Sequence, residues 1–310
     1  MPAKLTMTAS DWLLLILLST FWGGAFFFAE IALLEIPPLT LALARCGIAA
    51  VVLLVYLRVM GLSLPSGAMV WLSLILLASM NTALPFSLIF WGQTHIPSGL
   101  AAIFNATAPL FSILLAHFAT ADDKLSVRRA IGIALGFVGV VIVIGIDALR
   151  DLGIQVLAQL AVVLAAFFYA SAGVYGRRFK AYPPATIAAS VLLIGAFMLL
   201  PISAFVERPW NLPAPSAVAL LCTVALAVVS TALAFLIYFR ILGRAGAVNF
   251  QLVAYLIPVS AILLGVGFLG ETLEWRHITG MFVIAIGLAV IDGRAHQALK
   301  RIMQRAPKEL

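Results

Sequence analysis

Long runs of apolar residues dominate the chain, and short connectors containing proline, glycine or charged residues separate them. Each run is close to the roughly 20 residues that an α-helix needs to cross the hydrocarbon core of a bilayer. A membrane barrel would instead show alternating apolar and polar positions in segments of about 10 residues. The runs predict ten helices, at residues 12–29, 39–57, 69–91, 98–118, 129–146, 154–175, 185–206, 217–239, 246–268 and 277–292. We therefore expect an all-α integral membrane protein with ten transmembrane helices.

The composition agrees with this interpretation. The chain is 64% hydrophobic and 10% charged, whereas soluble domains average about 25% charged residues. The connectors are short, and the proline pairs Pro37-Pro38 and Pro183-Pro184 interrupt helices because proline lacks the N–H donor. No inserted soluble domain is expected.

Three short segments recur in the same order at a spacing of 146 to 149 residues. Thr82–Phe86 (T-A-L-P-F) returns at Thr231–Phe235 (T-A-L-A-F), Pro37–Thr40 returns at Pro183–Thr186, and Leu125–Gly132 returns at Leu273–Gly280. The recurrence indicates a duplicated half. We predict a first five-helix repeat at residues 1–147, a second at 148–293 and a basic tail at 294–310.

The distribution of Lys and Arg orients the predicted helices. Fifteen of the 19 Lys and Arg residues fall in one set of connectors and termini, three fall in the other set, and Arg45 lies within a span. Because cytoplasmic loops are enriched in Lys and Arg, both termini are predicted to be cytoplasmic. Five spans per half is an odd number, so the second repeat must be inverted relative to the first. Inverted repeats typically place a substrate site near the midplane and expose it to each side in turn.

Two aromatic residues, each followed by small residues, occupy equivalent positions in the two halves. Trp22 precedes Gly23 and Gly24 in the first predicted helix, and Tyr169 precedes Ala170-Ser171-Ala172 in the sixth. Small residues let helices approach closely in lipid, so close packing is one explanation. The other is that Trp22 and Tyr169 line a cavity while Gly23 and Gly24 act as a hinge.

The third and eighth predicted helices carry polar residues at the same depth. Pro85 frees a backbone carbonyl near Asn81, and such a carbonyl requires a partner from the protein or from a water-filled cavity. Interhelical hydrogen bonding and contact with a substrate both remain possible explanations. The candidate substrate-binding residues of these two helices are Asn81, Thr82, Phe90, Trp91, Thr231 and Tyr238.

The fourth and ninth predicted helices have proline near mid-span, which suggests that they are bent or broken. Pro109 and Pro258 join Pro85 as predicted kinks, and Tyr255 is a further candidate substrate contact. Broken helices present polar ends that bind zwitterionic substrates. Asn249 and Gln251 lie nearby, and we expect them near the cytoplasmic rim of the ninth helix.

Arg45 lies about seven residues, or roughly 10 Å of helix, inside the second predicted span. A central arginine in a membrane helix costs about 2.5–3.5 kcal/mol on insertion scales. Snorkelling or pairing with Glu30 would relieve this cost, and so would attracting a substrate carboxylate. The equivalent position of the second repeat is apolar, near Val191, so the charge is asymmetric.

The sequence lacks the motifs of several other functional classes. It contains no Gly-x-x-x-x-Gly-Lys-Ser/Thr phosphate loop, no His-Glu-x-x-His motif and no Gly-x-Ser-x-Gly elbow. We therefore expect no enzymatic activity, no cofactor and no metal. The net charge of +7 does not indicate nucleic acid as a partner, because the charges flank apolar runs and suit anionic lipid headgroups.

These features together resemble the drug/metabolite transporter superfamily, specifically its EamA-type members with two five-helix repeats. The matching positions are Trp22-Gly23-Gly24, Ala106–Pro109, Gly270-Glu271, Gly280 and Gly287, with Asp123, Gly132 and Gly139 as equivalents in the first repeat. The chain looks most like the YddG-type aromatic amino-acid exporters of that superfamily. The resemblance implies secondary export of aromatic and other neutral amino acids across the bacterial inner membrane, by a monomer or weak dimer. Alternative cargoes are other small metabolites or drugs, such as planar organic cations or nucleotide-sugar-like solutes.

Overall fold

A computed structural model describes residues 8–119, 125–145, 153–241 and 252–292. The regular structure within these ranges is entirely helical, which confirms the predicted all-α class. The helices are α1 (Ala9–Leu33), α2 (Pro38–Val59), α3 (Ala68–Gln93), α4 (Ser98–Ala119), α5 (Val127–Ile144), α6 (Ile154–Phe179), α7 (Pro184–Val206), α8 (Ala217–Ile241), α9 (Val253–Leu269) and α10 (Trp275–Asp292). All except α9 are long and apolar enough to span a membrane. The predicted start of α9, with Asn249 and Gln251, lies outside the described residues, as do the predicted repeat boundary and the basic tail.

Local sequence signals account for where several helices begin. Thr8 and Asp11 form a reciprocal capping box at the start of α1, in which each side chain accepts a hydrogen bond from the other residue's backbone N–H. Pro38 and Pro184 occupy the first positions of α2 and α7, where a missing N–H costs nothing. The proline pairs noted in the sequence therefore mark helix starts in both halves.

The helices pack in a two-fold arrangement. Three pairs of equivalent helices contact each other, α2 with α7, α4 with α9 and α5 with α10. In addition, α1 packs on α8 and α9, and its equivalent α6 packs on α3 and α4. These contacts thus form equivalent pairs that relate the two repeats.

The crossing of α5 and α10 shows the inversion directly. A Cβ atom added at Gly287 would lie 2.6 Å from the carbonyl oxygen of Gly132, and one added at Gly280 would lie 2.7 Å from that of Gly139. Gly132 is equivalent in sequence to Gly280, and Gly139 to Gly287. The early glycine of each helix therefore meets the late glycine of the other, so the two equivalent helices run antiparallel.

The repeated segment that begins with Leu125 and Leu273 has a structural role at the same crossing. Nη2 of Arg128 donates to the backbone carbonyl of Ile291, at 3.3 Å, near the end of α10. Its equivalent Arg276 donates from Nη1 to the carbonyl of Ile144, at 3.4 Å, at the end of α5. A cation near the last carbonyls of a helix complements the helix dipole. Each repeat thus caps the final helix of the other.

The two ends of the bundle differ in charge. At the end where the odd-numbered helices finish, the connectors contain Glu35, Glu207, Glu271 and Glu274. We call this the acidic end. The opposite end, which we call the basic end, carries Arg58, Arg177, Arg178 and Arg240.

We predict that Gly287→Val destabilises the protein more than Gly267→Val. The first substitution forces a side chain against the α5 backbone, and overpacking of this kind costs about 1–3 kcal/mol. Gly267 also lies within a helix but has no neighbouring atom within 4 Å of the added Cβ, so it controls for the loss of glycine itself. Unfolding of the purified variants in detergent would measure the difference. Equal stability of the two variants would contradict the close α5–α10 contact.

Candidate substrate site

Two irregular segments occupy equivalent positions in α3 and α8. The backbone forms a π-helix at Ser79–Ala83 and again at Val228–Leu233. The side chain of Thr82 donates to the carbonyl of Ala78, and that of Thr231 donates to the carbonyl of Leu226, each at 2.8 Å. Single π-helical turns within α-helices are frequent at functional sites. The repeated T-A-L-x-F segment therefore marks a paired irregularity near the middle of the bundle.

Proline is not the common cause of these irregularities. Pro85 follows the π-helical turn of α3, as predicted for a kink, but α8 has the same turn with Ala234 in the equivalent position. What the two copies share is a buried threonine whose hydroxyl bonds to a carbonyl of the preceding turn. Proline is thus not required for the π-helical turn, and the kink at Pro85 stays a prediction.

Arg45 on α2 lies against both irregular helices. Its Nε donates to the hydroxyl of Thr231 on α8 at 2.9 Å. Its guanidinium carbon lies 4.0 Å from the ring centroid of Phe86 and 5.7 Å from that of Phe90, both on α3. Tyr169 on α6 lies within electrostatic range of the guanidinium. Four helices from both repeats thus converge on one cation, which is only 8% exposed.

The predicted pairing of Arg45 with Glu30 is not formed. Glu30 instead accepts a hydrogen bond from Nε2 of Gln93 at 3.0 Å, at the acidic end of α1. Among the described residues, no carboxylate lies within ion-pair distance of Arg45. Its guanidinium makes one hydrogen bond to them, from Nε to Thr231. The terminal N–H groups of the guanidinium therefore keep their capacity to bind an anion.

The second repeat has a neutral counterpart of this contact. The hydroxyl of Thr82 lies 3.5 Å from the carbonyl oxygen of Val191 on α7. Val191 stands where α2 has Arg45, and Thr82 stands where α8 has Thr231. The two-fold arrangement thus places a buried cation on one side only.

The other predicted site residues do not form one cluster with Arg45. The ring centroids of Trp22 and Tyr238 are 6.0 Å apart, between α1 and α8. Trp91 packs against His95 toward the acidic end. Tyr255 lines a shallow recess between α4, α9 and α10, and the partly buried Asn81 lies in the π-helical turn of α3. The structure therefore brings Phe90, Tyr169 and Thr231 together with Arg45. The other candidates lie at the separate positions described above.

The predicted hinge positions differ among themselves. Helix α4 is interrupted at Ala106 and Thr107, and Pro109 is the second residue of the segment that follows, so a broken helix is found there. Helix α9 continues through Pro258, and α1 continues through Gly23 and Gly24. A Cβ atom at Gly23 would lie 2.6 Å from that of Ser260. Gly23 thus allows close packing of α1 on α9, and its role as a hinge stays a prediction.

Sequence reasoning did not identify two features of this region. Phe86, whose ring lies nearest to Arg45, belongs to the repeated T-A-L-P-F segment, so the repeat itself carried the signal. The second feature is a set of carboxylates that cap helices of the opposite repeat, and no local pattern reveals such contacts between distant segments.

Three glutamates join the two repeats at the acidic end. Glu207 accepts hydrogen bonds from the backbone N–H groups of Leu39 and Thr40 at the start of α2. Glu271 accepts from Ser98 and Gly99 at the start of α4, and Glu35 accepts from Ser216 just before α8. A carboxylate satisfies the free N–H groups of a helix start and complements its dipole. The acidic end is therefore held together across the repeats.

Comparison with known proteins agrees with this architecture. The model of the EamA-like transporter family matches twice, at residues 10–145 and 156–292. The chain is 28% identical to the uncharacterized inner membrane transporter YedA of Escherichia coli K12, over 87% of each chain. It is 25% identical to a probable amino-acid metabolite efflux pump of Salmonella typhimurium, over 92% of this chain and 95% of that one.

A solved crystal structure covers 92% of this chain and 98% of its own, with a TM-score of 0.64 at 20% identity. That similarity concerns the fold alone. The two family matches span nearly all of both repeats, and the chain belongs to the EamA-like transporter family.

Proposed function

We propose that this membrane transporter exports aromatic and other neutral amino acids across a bacterial inner membrane. The observation that carries the proposal is the unpaired Arg45 beside Phe86, Phe90 and Tyr169. A guanidinium with free N–H donors suits a carboxylate, and the aromatic faces suit a flat apolar side chain. The relative described as a probable amino-acid metabolite efflux pump supports the same class of substrate.

Alternating access of the two inverted repeats would carry such a substrate. The Arg45 cluster lies between helices of both repeats, so a rocking motion exposes it to one end and then to the other. The glutamate caps join helices of the two repeats at the acidic end. We propose that the acidic end faces away from the cytoplasm, with both termini inside, and that a single chain is the transporting unit.

The alternative cargoes fit this site less well. A planar organic cation would be repelled by Arg45, because no carboxylate of the described chain offsets that charge. A nucleotide sugar carries several negative charges. Among the described residues, Arg45 is the only Lys or Arg that is buried. A zwitterion with one carboxylate matches one guanidinium.

Counterflow in liposomes tests the proposal. Purified protein in vesicles filled with unlabelled phenylalanine should accumulate external radiolabelled phenylalanine or tryptophan with saturable kinetics. Threonine tests the wider neutral class, and glucose phosphate and tetraphenylphosphonium test the alternatives. Saturable counterflow of either alternative, with none for any amino acid, would refute the proposal.

A further inference from the structure

Four polar side chains meet at the acidic end where α1, α3, α4 and α9 come together. Glu30 lies in the last turns of α1, Gln93 ends α3, Ser98 begins α4 and Glu271 follows α9. Nε2 of Gln93 donates to Glu30 at 3.0 Å and to the carbonyl of Phe26 at 2.9 Å. We call these four side chains the acidic-end cluster.

Glu271 is fixed in place within this cluster. Its carboxylate accepts hydrogen bonds from the backbone N–H groups of Ser98 at 2.7 Å and of Gly99 at 3.0 Å. It also rests on two glycines, because a Cβ at Gly265 would lie 2.4 Å from Oε2 of Glu271 and one at Gly99 would lie 3.2 Å from the same atom. A negative charge is favourable at this position, since it lies at the start of a helix.

Glu30 is placed where a negative charge is unfavourable. It lies near the carboxyl end of α1, where the helix dipole is negative. It is mostly shielded from solvent, and Glu271 acts on it as a like charge. No Lys or Arg of the described chain is within ion-pair distance of Glu30. Burial, the helix dipole and the neighbouring carboxylate therefore all disfavour a negative charge on Glu30.

The cluster also contains buried polar atoms without partners. Oε1 of Gln93 and Oγ of Ser98 have no hydrogen-bond partner, and these two residues are only 3% and 0% exposed. Buried polar atoms without partners are uncommon in native proteins. The Ser98 hydroxyl carries its own O–H donor, but Oε1 of Gln93 and the two carboxylates can only accept. A protonated Glu30 would supply an O–H donor among these acceptors.

We propose that Glu30 is a proton-binding site whose occupancy closes the acidic end. When the acidic end is open, a proton from the external water binds the Glu30 carboxylate and gives a neutral carboxylic acid. The neutral acid lies beside Glu271 without repulsion, and the end of α1 seals against α4 and α9. Loss of the proton restores two like charges, and the sealed arrangement is weakened. The closed state is thus favoured at low pH and is lost as pH rises.

Other titratable groups near this end have separate partners. His95, in the connector between α3 and α4, bonds to Thr94 and to the carbonyl of Trp91. Arg45 lies against Phe86 and Thr231. The hydrogen bonds from Ser216 hold the pKa of the exposed Glu35 below its usual range, so Glu35 stays ionised at neutral pH. Glu271 is the charged group that acts on Glu30.

Distance measurements between spin labels test the proposal without any substrate. Leu34 and Trp275 are each 82% exposed at the acidic end, one in each repeat, and both are replaced by cysteine for labelling. The native Cys46 and Cys222 are buried, and protein without the introduced cysteines controls for their labelling. In lipid nanodiscs we expect the label-to-label distance to lengthen as pH rises from about 5 to about 8.

Three variants separate Glu30 from other acids. Glu30→Gln mimics the protonated form, so the short distance should persist at every pH, and Glu30→Asp should restore a pH response. Glu274→Gln is the matched control. Glu274 also lies at the acidic end, but it is exposed and its carboxylate pairs with Arg276 at 2.7 Å. It should respond as the wild type does. A distance independent of pH in the wild type, or an unchanged pH response in Glu30→Gln, would overturn the proposal.

The proposed function and this inference fail separately. Counterflow at equal pH on both sides needs a substrate and no proton gradient, whereas the distance measurement needs neither. In vesicles with equal pH on both sides, Glu30→Gln should lower counterflow at neutral pH, because its acidic end stays closed. Equal counterflow by wild type and Glu30→Gln would refute control of the acidic end by Glu30 even if amino-acid transport is confirmed.

Discussion

Replacing Arg45 with methionine should lower the rate of saturable phenylalanine counterflow by roughly 10- to 140-fold. Methionine keeps much of the volume and contact with Phe86 but removes the guanidinium. Hydrogen bonds to charged groups contribute about 1.5–3 kcal/mol, and each 1.4 kcal/mol corresponds to a factor of about ten. The effect should be large because the described chain offers no second buried cation for the carboxylate.

Matched variants separate the charge from packing. Thr231→Val removes the acceptor for Arg45 Nε and the hydrogen bond to the carbonyl of Leu226. It leaves the cation in place, so its effect should be only a few-fold. Val51→Ala alters a side chain on the same helix that is 61% exposed, and counterflow should be nearly unchanged. A loss in Thr231→Val as large as that in Arg45→Met would mean that Arg45 acts by holding α2 against α8.

A matched pair of substrates tests the same point. Phenethylamine is phenylalanine without its carboxylate, and Arg45 should disfavour it. Arg45→Met should therefore reduce phenylalanine counterflow and leave phenethylamine counterflow equal or higher. An equal loss for both compounds would contradict recognition of the carboxylate by Arg45.

The inverted architecture was predictable because its signals are periodic and global. Ten apolar runs gave the helices, recurring segments gave the duplication, and the Lys and Arg distribution with five helices per half required the inversion. The antiparallel contacts Gly132–Gly287 and Gly139–Gly280 are the physical form of that prediction. Even the Leu125 and Leu273 segments proved to have one role, since their arginines cap the facing helix.

The site was only partly predictable because its contacts join distant segments. Arg45 was identified as unusual from its position in an apolar helix, but its neighbours come from α3, α6 and α8. Phe86 was overlooked although it ends the repeated T-A-L-P-F segment, because the repeat alone does not show that its ring lies beside Arg45. Pro85 attracted attention because its chemistry is local, whereas the feature that both π-helical turns share is a buried threonine, Thr82 in one and Thr231 in the other.

The acidic-end cluster shows the same limit. Glu30 and Glu271 are 241 positions apart, and each taken alone resembles an ordinary charged residue beside a helix end. Only the fold places one at the unfavourable end of α1 and the other at the favourable start of α4. Their different roles follow from those positions, not from residue type.

Glu271→Ala should lower the free energy of unfolding by about 1–3 kcal/mol, because the start of α4 has no other side-chain cap. Losing a capping side chain costs about 0.5–2 kcal/mol, and leaving a buried N–H without a partner costs about 1–3 kcal/mol. Pro97 precedes α4 and provides no side-chain hydrogen bond, while Ser98 and Gly99 are buried. Thermal or denaturant unfolding of the purified protein would measure the loss.

Glu35→Ala is the matched control, since Glu35 caps α8 in the same way but at an exposed position. Helix α8 retains a cap from Ser216, whose hydroxyl accepts a hydrogen bond from the N–H of Ala219 at 3.2 Å. The lowered pKa of Glu35 means that its stabilisation is present at neutral pH and is lost as pH falls through the folded-state pKa. The difference between wild type and Glu35→Ala should therefore shrink on acidification.

Gly265→Ala tests the same contact between Glu271 and the start of α4 without removing the carboxylate. Its methyl group would lie 2.4 Å from Oε2 of Glu271, so the carboxylate must move away from the N–H groups of α4. We expect destabilisation in the same direction as Glu271→Ala, and little further loss when the two changes are combined, because both disrupt one contact. Additive losses would show that the glycine serves a separate packing role and that α4 does not depend on this single cap.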